Sequence, residues 1–298
     1  MKKLIIALCI LAITACTKPT GKVLFIGVDG LASWCLETAL DSIPDQIPNI
    51  KGLMDQGRWT LEKRAVYKTA SAINWATIFM GVPVEMHGYN KWNSAQPAFT
   101  AYEMTEHGMP PTLFSLLKEQ RPEAESVCIY DWDGIAPLLD TLSVSKYQYV
   151  EYQPDSLSSI DYVKQYGVPV IEAGMPDIFF FYILDPDEVG HKYAWGSPEY
   201  YEAMARCDKA IGLLLDALKA SPDYASTTIV LTADHGGKPD KKHGSYDLKD
   251  FRTPLFICGP GVKPGKVSSF VLQYDTTATL AELLGLKTPA EWRGRSVL

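Results

Sequence analysis

The sequence predicts an α/β fold, a three-layer sandwich in which a mostly parallel central sheet lies between two layers of helices. Five apolar runs of strand length are continuous rather than alternating, which indicates strands that are buried on both faces. Helical stretches separate these runs, and this alternation is typical of a parallel sheet with helices on both sides. The predicted strands are residues 23–28, 126–130, 178–184, 228–232 and 254–258.

The helical layers come from the stretches between and after these strands. No Ser/Gly-rich linker, internal repeat or block of like charge divides the chain after residue 22, so we expect one domain, residues 23–298. The segments 89–111 and 144–174 are rich in Tyr and Trp and fit the core pattern poorly, which favours a role as walls of a site. The predicted helices are residues 32–41, 48–56, 73–80, 112–119, 198–218 and 276–284.

The N-terminus predicts export. Two lysines precede an apolar run that ends at Ile13 and is too short to span a membrane, as in a signal peptide. Ile13-Thr14-Ala15-Cys16 resembles the bacterial lipobox, in which cleavage leaves a lipid-bearing Cys; the alternative is an ordinary signal peptide with an incidental Cys. We therefore expect residues 1–15 to be removed, Cys16 to carry lipid and residues 16–22 to form a tether. The mature protein is then an envelope lipoprotein, in the outer membrane or facing the periplasm.

The charge of the chain argues against nucleic-acid binding. The net charge is -7, and removal of residues 1–15 takes away Lys2 and Lys3 and no acid, which leaves about -9. A polyphosphate backbone needs a basic stripe, so affinity for phosphate must come from a local site such as bound metals, and small substrates are expected. Disulfides are possible but unassigned, and Cys128 and Cys258 are interpreted as free thiols because they lie in apolar strands.

Acidic and histidine motifs cluster where predicted strands end. Three of the five histidines stand beside Gly or Asp in segments that also carry carboxylates. Because ligands of parallel sheets collect at the carboxyl ends of strands, these side chains are expected to converge. Six hard or borderline ligands suit two divalent metals, and mixed Asp/His ligation with an open position is typical of catalytic zinc. The six are Asp29, Asp187, His191, Asp234, His235 and His243.

Together these motifs resemble the alkaline phosphatase superfamily, most closely its nucleotide pyrophosphatase/phosphodiesterase branch. The matching segments begin at residue 23 and include FIGVDG, DPDEVGHKYAWGSP, TADHGG with KKHG, and DTTATLAELLG. The branch pattern T-x-P-N corresponds to Ser71-Ala72-Ile73-Asn74, which departs from it by Ser for Thr and Ile73 for Pro. The resemblance implies an alkaline-phosphatase-like fold and a hydrolase that acts on a small phosphoester or nucleotide-like substrate.

The resemblance also implies the site residues. One zinc ion is assigned to Asp187, His191 and His243, and a second to Asp29, Asp234, His235 and Ser71. Ser71 is then the nucleophile, activated by the metal without a His general base, and a phospho-Ser71 intermediate is hydrolysed by water. The Asn74 amide is expected to donate to a non-bridging oxygen of the substrate.

Three other enzyme classes and one non-enzymatic function are alternatives. A sulfatase needs C/S-x-P-x-R, and the segment that starts at Ser71 lacks both Pro and Arg. A phosphomonoesterase usually adds a third metal or a basic pair, a role that Lys68 and Lys91 can fill. Phosphosugar mutases are similar, but export argues against intracellular sugar-phosphate chemistry. A non-enzymatic alternative is a lipid-anchored binding protein with an aromatic surface, formed by Trp92, Trp132, Trp195 and Trp292.

Overall fold

A computed structural model describes residues 21–298, and in this part of the chain eight strands form one sheet. The five predicted strands are confirmed, each end within two residues, and three further strands accompany them. The strands are β1 Lys22–Val28, β2 Arg58–Arg64, β3 Ser126–Tyr130, β4 Lys146–Tyr149, β5 Ile178–Ile183, β6 Thr227–Thr232, β7 Arg252–Cys258 and β8 Gly265–Lys266.

The sheet is mostly parallel, as predicted. Its strand order is β4-β3-β5-β1-β6-β7-β2-β8, and only β7 runs against its neighbours among the described strands. Strand β2 lies outside the predicted set because charged residues interrupt its apolar pattern, and one of them, Lys63, is nevertheless fully buried. Since β2 is antiparallel to β7, it points the same way as β1 and ends at the same edge of the sheet.

The six predicted helices are confirmed, and shorter helices accompany them. No helix in residues 21–298 combines the length and the apolar character that a membrane crossing requires. The helices are α1 Ser33–Ser42, α2 Pro48–Gln56, α3 Ser71–Met80, α4 Val84–His87, α5 Leu113–Gln120, α6 Ser159–Tyr162, α7 Val168–Glu172, α8 Asp185–Tyr193, α9 Pro198–Ala220, α10 Leu248–Phe251 and α11 Asp275–Leu283. Short 3₁₀ turns cover Pro44–Gln46, Asp133–Leu138 and Tyr224–Ser226, and a π-helical turn covers Val163–Gly167.

Two apolar cores, one on each face of the sheet, explain the continuous apolar strands. Successive side chains of a strand point to opposite faces, so Val23 and Phe25 pack into one core while Leu24 and Ile26 pack into the other. The first core includes side chains of α3, α5 and α11, and the second includes side chains of α1, α2 and α9. The predicted three-layer fold is therefore confirmed. The cysteines of the described residues are free thiols: Cys35, Cys128, Cys207 and Cys258.

Three adjacent parallel strands bring distant segments together. Strand β1 lies between β5 and β6, with Val28 paired to Ile183 and Gly27 paired to Thr232. The residues that follow these strands therefore emerge side by side at one edge, beside the segment that leads from β2 into α3.

Candidate active site

The six predicted ligands lie together at this edge. Asp29 follows β1, Asp234 and His235 follow β6, and His243 lies in the loop between β6 and α10. Asp187 and His191 belong to α8, four residues apart, so they lie on the same side of that helix. The cluster is compact, with these separations: His191 Nε2 to His243 Nε2 3.1 Å, His235 Nε2 to Asp234 Oδ2 3.3 Å, and His235 Nε2 to Asp29 Oδ1 3.4 Å.

Asp187 lies between two groups of potential metal ligands. One group is Asp187, His191 and His243, and the other is Asp29, Asp187 and His235; within each group the ligand atoms lie within 4.8 Å of one another. Asp187 Oδ1 is 4.0 Å from the Nε2 atoms of both His235 and His243. The first group has the members of the first predicted set. The second group shares two members with the second predicted set and contains Asp187 in place of Asp234.

Unpaired buried carboxylate oxygens indicate that these residues fit divalent cations. Asp29 Oδ1, Asp187 Oδ1 and Asp234 Oδ2 are buried and have no hydrogen-bond partner among residues 21–298. A buried carboxylate oxygen without a donor or a cation is costly, because it has lost its water and gained nothing in exchange. Three such oxygens beside imidazole nitrogens form a donor set that suits zinc.

The charges of the cluster are strongly coupled. Burial raises the pKa of Asp29 and of Asp234, and the neighbouring carboxylates raise both further. Burial by itself also raises the pKa of Asp187, but its hydrogen bond to His191 and the nearby histidines outweigh burial and leave that pKa below its ordinary value. The same hydrogen bond raises the pKa of His191 to about 9, whereas burial lowers the pKa of His235 to about 3.

Backbone carbonyls orient all three histidines. In each, Nδ1 lies within hydrogen-bond distance of a carbonyl oxygen. His191 Nε2 carries the proton that it donates to Asp187 Oδ2, 3.4 Å away, whereas an Nδ1–H in His235 and in His243 leaves Nε2 as an unprotonated acceptor facing the cluster. We assign this tautomer from the hydrogen-bond pattern. The contacts are His191 to Lys241 O at 3.1 Å, His235 to Gly236 O at 2.8 Å, and His243 to Thr69 O at 2.7 Å.

Side chains of the sheet and of α3 orient Asp29. The Tyr182 hydroxyl and Trp75 Nε1, the latter at 3.3 Å, both donate to Asp29 Oδ2. These two donors satisfy one carboxylate oxygen and leave Oδ1 facing His235. Trp75 therefore helps to orient the predicted ligand Asp29 by a hydrogen bond to its other oxygen, a role that the sequence did not predict.

Gly30 directly follows Asp29, and at this position the backbone passes too close to Asp187 for a side chain. Its φ is +63°, and a Cβ at this position would lie 2.7 Å from Asp187 Oδ1. Its N–H donates to Asp234 Oδ1 at 3.2 Å. A side chain here would be strained and would displace a ligand oxygen.

Ser71 is the hydroxyl that faces this cluster. It is the first residue of α3, it is 8% exposed, and its Oγ lies 3.2 Å from His235 Nε2. Ser71 lines a cavity of about 630 Å³ together with Asp187, His191 and His243. The neighbouring hydroxyl of Thr77 points elsewhere, because it donates to Ile73 O within the helix.

The structure does not bring the Asn74 amide into this cavity, which departs from its predicted role as a donor to substrate. Asn74 is fully buried; its Oδ1 accepts from Val66 N at 2.8 Å, and its Nδ2 lies 3.1–3.3 Å from the carbonyls of Val66, Lys68 and Ala70. Asn74 thus holds the segment that precedes Ser71. A different asparagine, Asn90, lines the cavity.

Of the two predicted wall segments, only one lines this cavity. Residues 90–93 belong to the first segment and contribute to the lining. The second segment instead contributes Tyr152, Pro154 and Asp155 to a neighbouring cavity of about 520 Å³. No residue of 144–174 lines the 630 Å³ cavity, so the prediction that this segment walls the site is wrong for this cavity.

Lysines surround the cavity, although the chain is acidic. Lys68, Lys91, Lys241 and Lys242 line it, and among their side-chain amines in residues 21–298 only that of Lys241 donates a hydrogen bond, to Lys192 O. In the described part of the chain, the amines of Lys68, Lys91 and Lys242 form no ion pair. The sequence singled out two of these lysines and missed Lys241 and Lys242, which directly precede the predicted ligand His243.

The family model described as type I phosphodiesterase / nucleotide pyrophosphatase matches residues 23–253. Venom phosphodiesterase CdcPDE from Crotalus durissus collilineatus is 28% identical over 223 residues, which cover 72% of this chain and 26% of that protein. GPI ethanolamine phosphate transferase 1 from Yarrowia lipolytica is 38% identical over 86 residues, covering 28% of this chain and 9% of that protein. The chain spans about a quarter of the length of the venom phosphodiesterases that it matches.

Solved structures share the fold. Murine ectonucleotide pyrophosphatase / phosphodiesterase 5, as an inactive form in complex with AMP, aligns with a TM-score of 0.68 and 17% identity over 90% of this chain and 96% of its own. A protein in the alkaline phosphatase superfamily from Vibrio parahaemolyticus aligns with a TM-score of 0.69 and 18% identity over 94% of this chain and 70% of its own. At these identities the likeness shows the fold alone, and the predicted alkaline-phosphatase-like fold is confirmed.

Proposed function

Because the chain belongs to the type I phosphodiesterase / nucleotide pyrophosphatase family, we propose that it hydrolyses a phosphodiester or pyrophosphate bond in a small, nucleotide-like phosphoester. One observation carries this proposal: the Ser71 hydroxyl lies 3.2 Å from His235 Nε2, in a cavity wall beside three buried, unpaired carboxylate oxygens. A hydroxyl nucleophile beside a site for divalent cations is the arrangement that displacement at phosphorus requires.

Two zinc ions are proposed as cofactors. One would be held by Asp187, His191 and His243, and the other by Asp29, Asp234, His235 and Ser71. When bound, the ions supply positive charge for the attacking and leaving oxygens of an in-line displacement. Elemental analysis of the purified protein is expected to find about two zinc ions per chain; at most one metal ion, even after reconstitution with zinc, contradicts this assignment.

The reaction proceeds in two displacements at Ser71. In the first, the Ser71 hydroxyl gives up its proton to solvent and its Oγ forms a bond to phosphorus, while the leaving-group oxygen departs with the electron pair of its bond to phosphorus and takes up a proton from water. In the second, water attacks the phospho-Ser71 ester and the Ser71 hydroxyl is regenerated. His235 is not the proposed general base, because its Nε2 would hold the second ion.

Asn90 is proposed as the amide that donates to a non-bridging oxygen. It lines the cavity with Ser71, whereas the amide of the predicted donor, Asn74, already contacts backbone groups of residues 66–70. A donor aimed at the phosphoryl group stabilises charge that grows in the transition state. Asn90→Ala is expected to lower kcat more than it raises KM.

A phosphomonoesterase is the second candidate function. The cavity lysines Lys68, Lys91 and Lys242 lack carboxylate partners among residues 21–298, and such unpaired charge favours a dianionic phosphoryl group. The aromatic binding surface is less favoured, since Trp195 and Trp292 are buried.

One substrate panel tests both functions. It contains p-nitrophenyl phosphate, bis-p-nitrophenyl phosphate, a dinucleoside polyphosphate and a sulfate ester, with the Ser71→Ala variant as the blank. Higher kcat/KM for the diester and the polyphosphate supports the main proposal. Higher kcat/KM for the monoester, with a loss of this preference in Lys91→Gln, supports the second candidate; turnover of the sulfate ester alone contradicts both.

The protein is further proposed to be an exported lipoprotein of the bacterial envelope. The support is the sequence of residues 1–16 alone, because Cys16 and the signal peptide lie outside the residues that the structure describes.

A further inference from the structure

Thr69 connects the segment that carries the proposed nucleophile to one of the proposed zinc ligands. Its carbonyl oxygen lies 2.7 Å from His243 Nδ1, and its hydroxyl accepts from Gly244 N at 2.9 Å. Thr69 is fully buried, and only Ala70 separates it from Ser71. Two successive residues of the His243 loop are thus bonded to one residue of the Ser71 segment.

Thr69 links this segment to the His243 loop beside the ligand itself, and a second link lies farther away, where the Tyr67 ring stacks on that of Tyr246 with centroids 4.1 Å apart. Within the same segment, Asn74 of helix α3 contacts backbone groups on either side of Thr69, among them Lys68 O and Ala70 O. Ala70 itself is extended, with φ -141° and ψ 153°, and helix α3 begins at the next residue. Only one extended residue, Ala70, therefore separates Thr69 from Ser71, so a displacement of Thr69 is expected to displace Ser71 as well.

A continuous path of contacts then crosses the whole site. It runs from His243 through Thr69 to Ser71, and from the Ser71 Oγ to His235 Nε2 over 3.2 Å. His243 belongs to one group of potential metal ligands and His235 to the other. We propose that Thr69 is a positioning residue that couples the placement of Ser71 to that of His243. The ligand group that contains His243 would then help to position Ser71, the nucleophile that lies beside the other ligand group.

This inference rests on the proposed function and adds a residue to it. The hydroxyl is the part of Thr69 that can be tested, because every residue at this position keeps the carbonyl that accepts from His243. Without the hydroxyl, the Gly244 N–H loses its acceptor, and the loop that carries His243 loses one of its two hydrogen bonds to Thr69.

Thr69→Val removes the hydroxyl and keeps the branched shape, whereas Thr69→Ser keeps the hydroxyl. Thr60→Val is a matched control: Thr60 is 2% exposed, its hydroxyl accepts from one backbone N–H, that of Glu62 at 3.0 Å, and it does not line the cavity. We expect Thr69→Val to lose about tenfold or more in kcat on bis-p-nitrophenyl phosphate and to release zinc at a lower chelator concentration. Thr69→Ser is expected to restore both, and Thr60→Val to lower only the Tm.

If Thr69→Val instead matches Thr60→Val in kcat and in zinc retention, Thr69 is only a structural residue and the inference is wrong. A second measurement avoids this variant altogether, in case it does not fold. His243→Ala and His191→Ala both remove a ligand from the same group, but only His243 contacts Thr69. Hydrogen exchange across residues 66–71 should therefore be faster in His243→Ala than in His191→Ala, and equal rates would overturn the coupling.

The wild-type protein separates this inference from the function on which it rests. If the wild-type protein binds no zinc and cleaves no phosphoester, the proposed function is wrong. If the wild-type protein does both and Thr69→Val is unchanged in kcat and zinc retention, only the proposed role of Thr69 is wrong.

Discussion

The Ser71 hydroxyl lies 3.2 Å from Nε2 of His235, although 163 residues separate the two in the chain. His235 Nδ1 contacts Gly236 O, so with an Nδ1–H tautomer Nε2 accepts and the Ser71 hydroxyl donates. The same Nε2 lies 3.4 Å from Asp29 Oδ1 and 3.3 Å from Asp234 Oδ2. The proposed nucleophile and three proposed ligands of one ion therefore converge on a single point.

Ser71→Ala should lower kcat by orders of magnitude and leave zinc content intact, because the six carboxylate and imidazole ligands remain. Ser71→Thr should retain much of the activity, since it offers an equivalent hydroxyl. Trapping with a slow substrate and peptide mass spectrometry should locate the phosphoryl adduct on Ser71. An adduct on Thr69 or Thr77, or turnover at the wild-type rate in Ser71→Ala, would sink the assignment.

Gly30→Ala should lower zinc content and activity together, because the new Cβ would lie 2.7 Å from Asp187 Oδ1. Gly108→Ala is the matched control: Gly108 has a similar φ of +77°, and a Cβ there meets no atom within 4 Å. Both variants carry backbone strain, of the order of 1 kcal/mol, but only Gly30→Ala crowds a ligand. Equal zinc content in the two variants would show that Gly30 does not shape the metal site.

Lys63 should make the stability of the metal-free protein depend on pH. Burial lowers its pKa from 10.5 to about 7, so between these values the unfolded chain binds a proton that the folded chain does not. Its contribution to the free energy of unfolding therefore increases as pH rises from about 7 to 10.5, and it is least favourable below pH 7. Lys63→Met should remove this part of the slope. Urea unfolding of both proteins at several pH values measures it, and parallel profiles would contradict the prediction.

Cys16→Ala should release the protein from membranes, because acyl chains on Cys16 are proposed to supply the attachment. Membrane and soluble fractions of expressing cells are compared for the wild type and the variant, with Cys258→Ala as a control thiol in β7. If Cys16→Ala stays in the membrane fraction, something other than this residue holds the protein there.

Sequence patterns were sufficient for the elements whose burial is uniform. The strands β1, β3, β5, β6 and β7 and six helices were predicted because their apolar residues face two cores. Strand β2 was missed because Arg64 and Glu62 interrupt it; in the folded chain Glu62 pairs with Arg252 of the neighbouring strand. Helix α8 was missed because its first turn holds Asp185, Asp187 and Glu188, which read as a polar loop.

The sequence by itself determined which residue types can form the site and the edge of the sheet at which they meet. Apolar continuity indicates a parallel sheet, and Asp29, Asp187, Asp234 and His235 closely follow predicted strands, so their convergence could be predicted without the strand order. Only the tertiary structure decided which polar atoms remain free. Asn74 and Asn90 are the same residue type near Ser71, yet the first contacts its own loop and the second lines the cavity. Asp187 likewise lies between both ligand groups. The physical reason is that the direction of a side chain depends on the backbone and on the partners that distant segments bring to it, and the local pattern does not contain these partners.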